Sequence, residues 1–125
     1  MGIFSGILGN AWNVNKNDVK KELAKVLNEN EDINAAFKLV RDLIVFTDKR
    51  LILVNKQGVT GKKTEYHSIP YKSISHFSVE TAGHFDLDAE LKLWISGAVE
   101  PAVSLQFRKD ESIYDIQKIL AAVCA

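Results

Sequence analysis

The chain has 125 residues, which suits one domain that buries about two-thirds of the surface its unfolded form exposes. Its 16 Lys and Arg residues balance 16 Asp and Glu residues, so the formal net charge is zero. Proteins that bind nucleic acids or membrane surfaces usually carry a basic excess, so we expect no nucleic-acid partner and weak membrane contact or none.

Residues 1–14 form an apolar, glycine-rich arm. Its glycines disfavour a stable isolated helix, and its large apolar side chains would promote aggregation if they stayed in water. We therefore expect the arm to pack on its own domain or on a neighbouring copy. It lacks the basic start of a signal peptide, and no apolar run reaches the ~20 residues of a membrane span. We expect a cytoplasmic protein.

A helix is predicted over residues 15–28, followed by the polar stretch "NENED". Asn15 can cap its first turn, with Asp18 three residues later as a short form of the capping box. Apolar residues recur at helical spacing, at Val19, Leu23, Val26 and Leu27.

After the first helix the apolar pattern changes to the alternation of β-strands. Strands are predicted at 35–42, 43–47, 51–55, 64–71, 75–81, 86–95 and 102–107. Turns with glycine at 57–62, 82–84 and 96–98 fit antiparallel neighbours. A second helix is predicted over 111–123, with Ser112 and Asp115 as its capping box. The pattern indicates one mainly β, α+β domain over residues 15–125.

The stretch "VNKQGVTGKKTEY" resembles a phosphate-binding loop in composition only. Such a loop needs four residues between its glycines and a helix after it. Here two residues separate Gly58 from Gly61, and a strand-like segment follows. We interpret the stretch as a turn between two strands.

No catalytic or cofactor-binding constellation is recognisable. The histidines lack partners at metal-ligand spacing, except for a weak grouping of His84 with Asp86 and Asp88, which is better interpreted as a solvated acidic edge. Cys124, beside the C-terminus, is expected to be a packing or frayed residue. We predict a protein that is not an enzyme and that uses no cofactor or metal.

The hairpin "DLIVFTDKRLILVNK" is apolar on both strand faces. A hairpin in an antiparallel sheet usually wets one face, so this one needs two dry surfaces. One is the domain core; the other is the chain's own N-terminal helix or a second copy. Taken with the arm, this pattern favours self-association. The candidate interface residues are Ile3, Phe4, Ile7, Leu8, Ile44, Phe46, Ile52 and Val54.

Several segments resemble the bacterial pleckstrin-homology-like (bacterial PH domain) family of small uncharacterised cytosolic proteins. The most distinctive are "RDLIVFTDKRLILV", "QGVTGKK", "IPYKSI" and "ETAGHFDLDAELK". The resemblance implies a PH-like barrel: two near-orthogonal antiparallel sheets, about seven strands in all, and a C-terminal capping helix. The N-terminal helix is additional. The resemblance also implies a ring-shaped homo-oligomer, with a pentamer as the expected size.

The fold does not itself specify a function. The hypothesis that we favour is a non-enzymatic, self-associating scaffold that binds a protein or a peptide, for example by strand addition at a barrel edge. The alternative is an adaptor for anionic lipid headgroups. It would use Lys56, Lys62 and Lys63 of the glycine loop, repeated around a ring.

Overall fold

The structure is a computed structural model that describes residues 14–39, 42–57, 63–81, 89–107 and 112–124. Its elements follow the chain as α1 (Lys16–Glu22), β1 (Ile33–Lys38), β2 (Asp42–Thr47), β3 (Arg50–Gln57), β4 (Lys63–Pro70), a 3-10 turn (Tyr71–Ser73), β5 (Ile74–Thr81), β6 (Ala89–Ile95), β7 (Val103–Phe107) and α2 (Ser112–Val123).

The strands form two antiparallel sheets. The first sheet has the order β1-β2-β3-β4 and the second the order β5-β6-β7. Strands β3 and β4 pair without a break from Arg50 opposite Pro70 to Gln57 opposite Lys63. The pairing shifts register between Ile33 and Ala35 in β1, and between Ile74 and His76 in β5. The predicted α+β class and PH-like arrangement of strands and helices are confirmed.

The main core lies between the sheets. It contains the large side chains of Phe37, Phe46 and Phe107, together with four apolar residues of α2. Phe37 and Phe46 meet edge to face, with ring centroids 6.4 Å apart, a favoured aromatic geometry. Helix α2 thus closes the core as its predicted apolar stripe requires.

A second apolar cluster lies on the outer face of the first sheet. There α1 and the turn after it pack on β1, β2 and β3. The buried members of this cluster are Val19, Leu23, Ala36, Val45, Ile52 and Val54. Strands β1, β2 and β3 of the first sheet are therefore covered by apolar contacts on both faces within a single chain.

Helix α1 is shorter than the predicted 15–28. Asn15 caps it as expected, since its side chain accepts hydrogen bonds from the backbone N–H of Asn17 and Asp18 at 2.9 and 3.2 Å. The helix ends at Glu22, and the backbone continues as turns in which the Val26 and Leu27 N–H groups donate to the Leu23 carbonyl at 2.9 and 3.1 Å. At the end of these turns the Val26 carbonyl accepts from the side chain of Arg50, and the Asn28 N–H donates to Glu31. The side chains of Arg50 and Glu31 thus bind the end of the turns that follow α1.

Two predicted connections are also located. The first predicted strand, 35–42, stops at Lys38, and a turn closed by the Leu39 N–H and the Asp42 carbonyl (2.8 Å) leads into β2. The turn after β6 contains Ser96 and Gly97 with φ of 51° and 76°. That left-handed geometry favours glycine, as the predicted turn at 96–98 anticipates.

Candidate binding surfaces

A buried ion pair joins the segment after α1 to the β2–β3 hairpin. Both carboxylate oxygens of Glu31 accept from Arg50: Oε2 from Nε and Oε1 from Nη2, each at 2.8 Å. The Thr47 hydroxyl also donates to Oε2 at 2.6 Å. The Glu31 side chain is fully buried, whereas 23% of the Arg50 side chain is exposed. The hydrogen bonds from Arg50 lower the pKa of the Glu31 carboxyl from 4.5 to about 2, outweighing burial, which raises it.

The Arg50 side chain also reaches two other parts of the chain. Its Nη2 donates to the Val26 carbonyl at 2.9 Å, and its Nη1 donates to the Ser68 hydroxyl on β4 at 2.8 Å. We call this set, Glu31, Thr47 and Arg50 with Val26 and Ser68, the Arg50 clamp. It fixes the N-terminal segment over the outer face of the first sheet.

A second polar contact holds α1 near the far end of β3 and β4. The Tyr66 hydroxyl donates to Glu22 Oε2 at 2.6 Å, and Lys56 Nζ lies 3.2 Å from Glu22 Oε1. The hydrogen bond from Tyr66 is the main cause that lowers the pKa of Glu22, and the same bond raises the pKa of Tyr66. Because this contact is exposed, it helps to orient α1 on the sheet but contributes little to the stability of the fold.

The outer cleft is an opening of about 660 Å³ between α1 and the ends of β1, β2 and β3. Its apolar lining comes from Val14, Val19, Leu43 and Val54. Its charged lining comes from Asp18, Glu22, Lys38, Asp42 and Lys56. Polar and charged residues outnumber apolar ones in this lining, so the cleft is more polar than a typical small-molecule pocket.

The inner cleft is smaller, about 210 Å³, and lies between the two sheets. Asn55, Glu65 and His67 line it from β3 and β4, and residues 102–105 line it from the start of β7. Register places Glu65 and His67 on the same face as Ile69, which lies in the main core. The inner cleft is thus a polar opening at the end of the main core, between the two sheets.

Strand β4 is an edge of the first sheet. Among the described residues its backbone pairs only with β3, so its other side has no strand partner there. Most of its side chains are exposed, Tyr66 to 37%, and only Ile69 is buried.

The outer face of the second sheet is polar and exposed. His76 and Trp94 face each other across β5 and β6 and stack with ring centroids 4.3 Å apart. Trp94 Nε1 donates to the Val99 carbonyl at 3.1 Å, which holds the β6–β7 loop. Next to the stack, Glu90 accepts a hydrogen bond from Ser104 and lies 3.9 Å from Lys92.

A family model described as "Bacterial PH domain" matches residues 2–124. The chain belongs to this family.

Its relatives and structural neighbours agree. The chain is 73% identical over 124 residues to the uncharacterised protein YjqA of Bacillus subtilis, covering 99% of both chains. It is 34% identical over 120 residues to the uncharacterised protein YozO of the same organism, covering 96% of this chain and 95% of YozO. The crystal structure of a pleckstrin homology domain from Shewanella amazonensis superposes with a TM-score of 0.81 at 52% identity, covering 99% of both chains. A DUF1696 family protein with a pleckstrin-homology domain from Shewanella loihica gives a TM-score of 0.76 at 51% identity, over 90% and 95% of the two chains.

The structure of this bacterial PH domain corrects the interface predicted from the hairpin. Ile44 and Phe46 point into the main core, and Ile52 and Val54 lie beneath α1; each is at most 1% exposed within one chain. The chain's own helix supplies the second dry surface, so the hairpin does not require a second copy. The other candidates, Ile3, Phe4, Ile7 and Leu8, lie outside the described residues.

Two of the three lysines proposed for an anion site, Lys56 and Lys63, lie on opposite faces of the sheet. Lys56 lies on the outer face of the sheet and pairs with Glu22. Lys63 follows the opposite face, because it alternates in step with Glu65, His67 and core-facing Ile69. Lys62 lies outside the described residues.

Other predicted features are partly located. Cys124 packs against the main core, and burial raises the pKa of its thiol, as expected for a packing residue. His84, Asp86 and Asp88 lie outside the described residues. In the described part of the chain, no group of three His, Cys, Asp or Glu residues is arranged to hold a metal ion. The helices described are not long and apolar enough to cross a membrane.

Sequence reasoning missed the Arg50 clamp. It treated Glu31 as part of the polar stretch "NENED" and Arg50 as part of a turn. A signal was nevertheless present: Arg50 directly precedes the four apolar residues 51–54, and a charge beside a buried strand needs a partner.

Proposed function

We propose that this bacterial PH domain is a non-enzymatic binding module that takes up an extended peptide segment of a protein partner along the edge of β4. The observation that carries the proposal is the eight-residue pairing of β4 with β3, which has no register shift and leaves the other side of β4 without a strand partner among the described residues. A regular edge of this kind is a template for an added strand.

The other sheet edges are less suited to an added strand. Strands β1 and β5 each carry a register shift, a feature that bends a strand and interrupts its pairing. Strand β7 has five residues against the eight of β4. In β4 the one proline, Pro70, is the last residue, so it interrupts nothing.

The side chains beside the β4 edge offer two kinds of contact. An added strand would place alternate side chains on the two faces of the sheet. On the outer face they would meet Tyr66 and Ser68, and on the other face Glu65 and His67 at the mouth of the inner cleft. We infer a partner segment with an apolar or aromatic residue for Tyr66 and a polar or basic residue for Glu65.

A random 12-residue peptide library displayed on phage supplies the probe. Selected peptides are synthesised and titrated into isotope-labelled protein. The expected result is a set of amide shifts centred on residues 63–70. N-methylation of one set of alternate peptide residues should abolish binding, and methylation of the other set should leave it intact, because an added strand uses alternate N–H groups. Shifts centred on the His76–Trp94 stack, or no selected peptide, would contradict the proposal.

Self-association remains a prediction of the apolar arm and of the family resemblance, since the covered hairpin does not support it. Light scattering at tens of micromolar protein tests it. A mass of 14.0 kDa, that of one chain, would exclude it under those conditions.

The lipid-adaptor alternative has less support, because Lys56 and Lys63 lie on opposite faces of the sheet. Flotation with phosphatidylserine vesicles at physiological salt separates the two functions. Capture that is lost in Lys63→Glu but kept in Lys72→Glu, a lysine outside the loop, would favour the lipid adaptor over the peptide module.

A further inference from the structure

The outer cleft lies where the described chain begins. Val14, the first described residue, is itself part of the apolar lining and packs against the cluster beneath α1. The thirteen residues before it therefore join the structure at the wall of the cleft. Any surface that this segment covers in its own chain must lie within the reach of that attachment point.

The segment before Val14 has the chemistry of a buried element. Residues 1–13 contain no Asp, Glu, Lys or Arg. Their large apolar side chains are Ile3, Phe4, Ile7, Leu8 and Trp12. In a helix this spacing would place all five on one side, while Gly2, Ser5, Gly6, Gly9 and Asn10 would fill the other. Thirteen helical residues span about 20 Å.

The cleft offers a small apolar surface to such a segment. Val19 and Val54 line it but are at most 3% exposed, so its uncovered apolar side chains are the half-buried Val14 and Leu43. Its rim contains both acids and lysines, and one of each, Glu22 and Lys56, already pair. An uncharged apolar segment covers this surface without leaving a new charge unpaired. A charged ligand would have to compete with the existing rim pair.

We propose that the outer cleft is the docking site of residues 1–13 of the same chain. The segment extends the apolar cluster under α1 across the half-buried Leu43, and with α1 it forms a continuous cover over β1, β2 and β3. Docking within one chain is favoured over docking between chains because the link through Val14 gives the segment a high effective concentration at the cleft. The proposal does not depend on peptide binding at β4.

A spin label on the full-length protein tests this inference. Ser5→Cys in a Cys124→Ser background carries a nitroxide, and amide peak intensities are compared before and after its reduction. The expected result is loss of the peaks of Leu43, Val54 and Lys56, with the peaks of Ser78 and Trp94 unchanged. A matched label at Ser78→Cys should reverse the pattern. Loss spread evenly over the protein, or centred away from the cleft, would overturn the proposal.

Two further measurements separate other occupants. In an equal mixture of nitroxide-labelled protein and unlabelled, isotope-enriched protein, the enriched copies should keep their cleft peaks. Loss of those peaks would show that the arm docks on a second copy and would overturn docking in the same chain. The Trp94→Phe variant keeps Trp12 as its single tryptophan. In the absence of lipid, the fluorescence emission of Trp12 should be that of an indole shielded from water. A blue shift that appears only on adding phosphatidylcholine vesicles would assign the arm to a membrane instead.

Discussion

The outer faces of the two sheets have opposite surroundings. On the first sheet, Val45, Ile52 and Val54 are at most 1% exposed because α1 and the turn after it cover them. On the second sheet, His76 and Ser78 are exposed. Strands β1, β2 and β3 therefore form a middle layer between α1 and the core, whereas the second sheet is an outer layer. The comparison shows that a sheet apolar on both faces can be completed by a short helix of its own chain, provided that tertiary bonds hold the helix in place.

The largest effect is expected from the Arg50 clamp, which holds the cover on the first sheet. Arg50→Met should lower the free energy of unfolding by about 4 kcal/mol, because the buried Glu31 carboxylate loses its ionic partner. Urea denaturation followed by circular dichroism measures the loss. Lys49→Met, an exposed neighbour in the same turn, should change it by about 0.5 kcal/mol or less. A loss below about 1 kcal/mol in Arg50→Met would mean that the cover is held by other contacts.

The two outer faces should respond differently to truncation. Ile52→Ala should cost about 3 kcal/mol, since it opens a cavity beneath α1. Ser78→Ala on the second sheet should cost about 0.5 kcal/mol or less. Unfolding free energies from the same denaturation experiment make the comparison. Equal costs would show that α1 does not cover the first sheet in solution.

Acid should lower the stability that the Arg50 clamp gives to the covered face of the first sheet. The pKa of Glu31 is lowered from 4.5 to about 2 in the folded state, so its contribution to stability is fully present above pH 4.5 and falls as the pH drops toward 2. About 2 kcal/mol of this contribution should be lost by pH 3. Unfolding free energies of the wild type and of Glu31→Gln should therefore converge between pH 6 and pH 3. A constant difference would rule out Glu31 as the titrating group.

The smallest effect is expected from the exposed contact at the far end of α1. Tyr66→Phe removes the hydrogen bond to Glu22 and should cost about 0.5 kcal/mol, because Tyr66 is 37% exposed and water replaces the lost partner. Tyr114→Phe on α2, whose tyrosine is 51% exposed, is the matched control and should cost nothing measurable. A loss above about 1.5 kcal/mol in Tyr66→Phe would make this contact a second clamp.

Local patterns predicted the strands and the cap of α1 well. The alternation of Leu91 and Leu93 with polar residues identified the core face of β6, and Asn15 capped α1 where its side chain predicted. Such features depend on neighbours along the chain, so the sequence carries them directly. Ser112, predicted to cap α2, begins that helix.

Features that depend on distant pairing were harder to predict. The β2–β3 hairpin, apolar on both faces, correctly indicated that both faces are covered. The apolar pattern cannot show what covers the outer face, and we favoured a second copy. The bond that holds the Val26 carbonyl after α1 comes from Arg50, 24 residues further along the chain. The separation of Lys56 from Lys63 depends on the register of β3 with β4 across the turn, which composition does not reveal.

Burial of β2 and β3 on both faces also determines how this domain opens. β2 and β3 are the two central strands of the first sheet, so their amide hydrogens bond to strands on both sides. Apolar clusters cover both faces of these strands, so solvent reaches the amides only after α1 lifts away or the whole domain unfolds. Deuterium should therefore enter this hairpin last and the second sheet earlier. The same pair of strands, formed between residues close in sequence, is a natural first template on which the rest of the chain assembles.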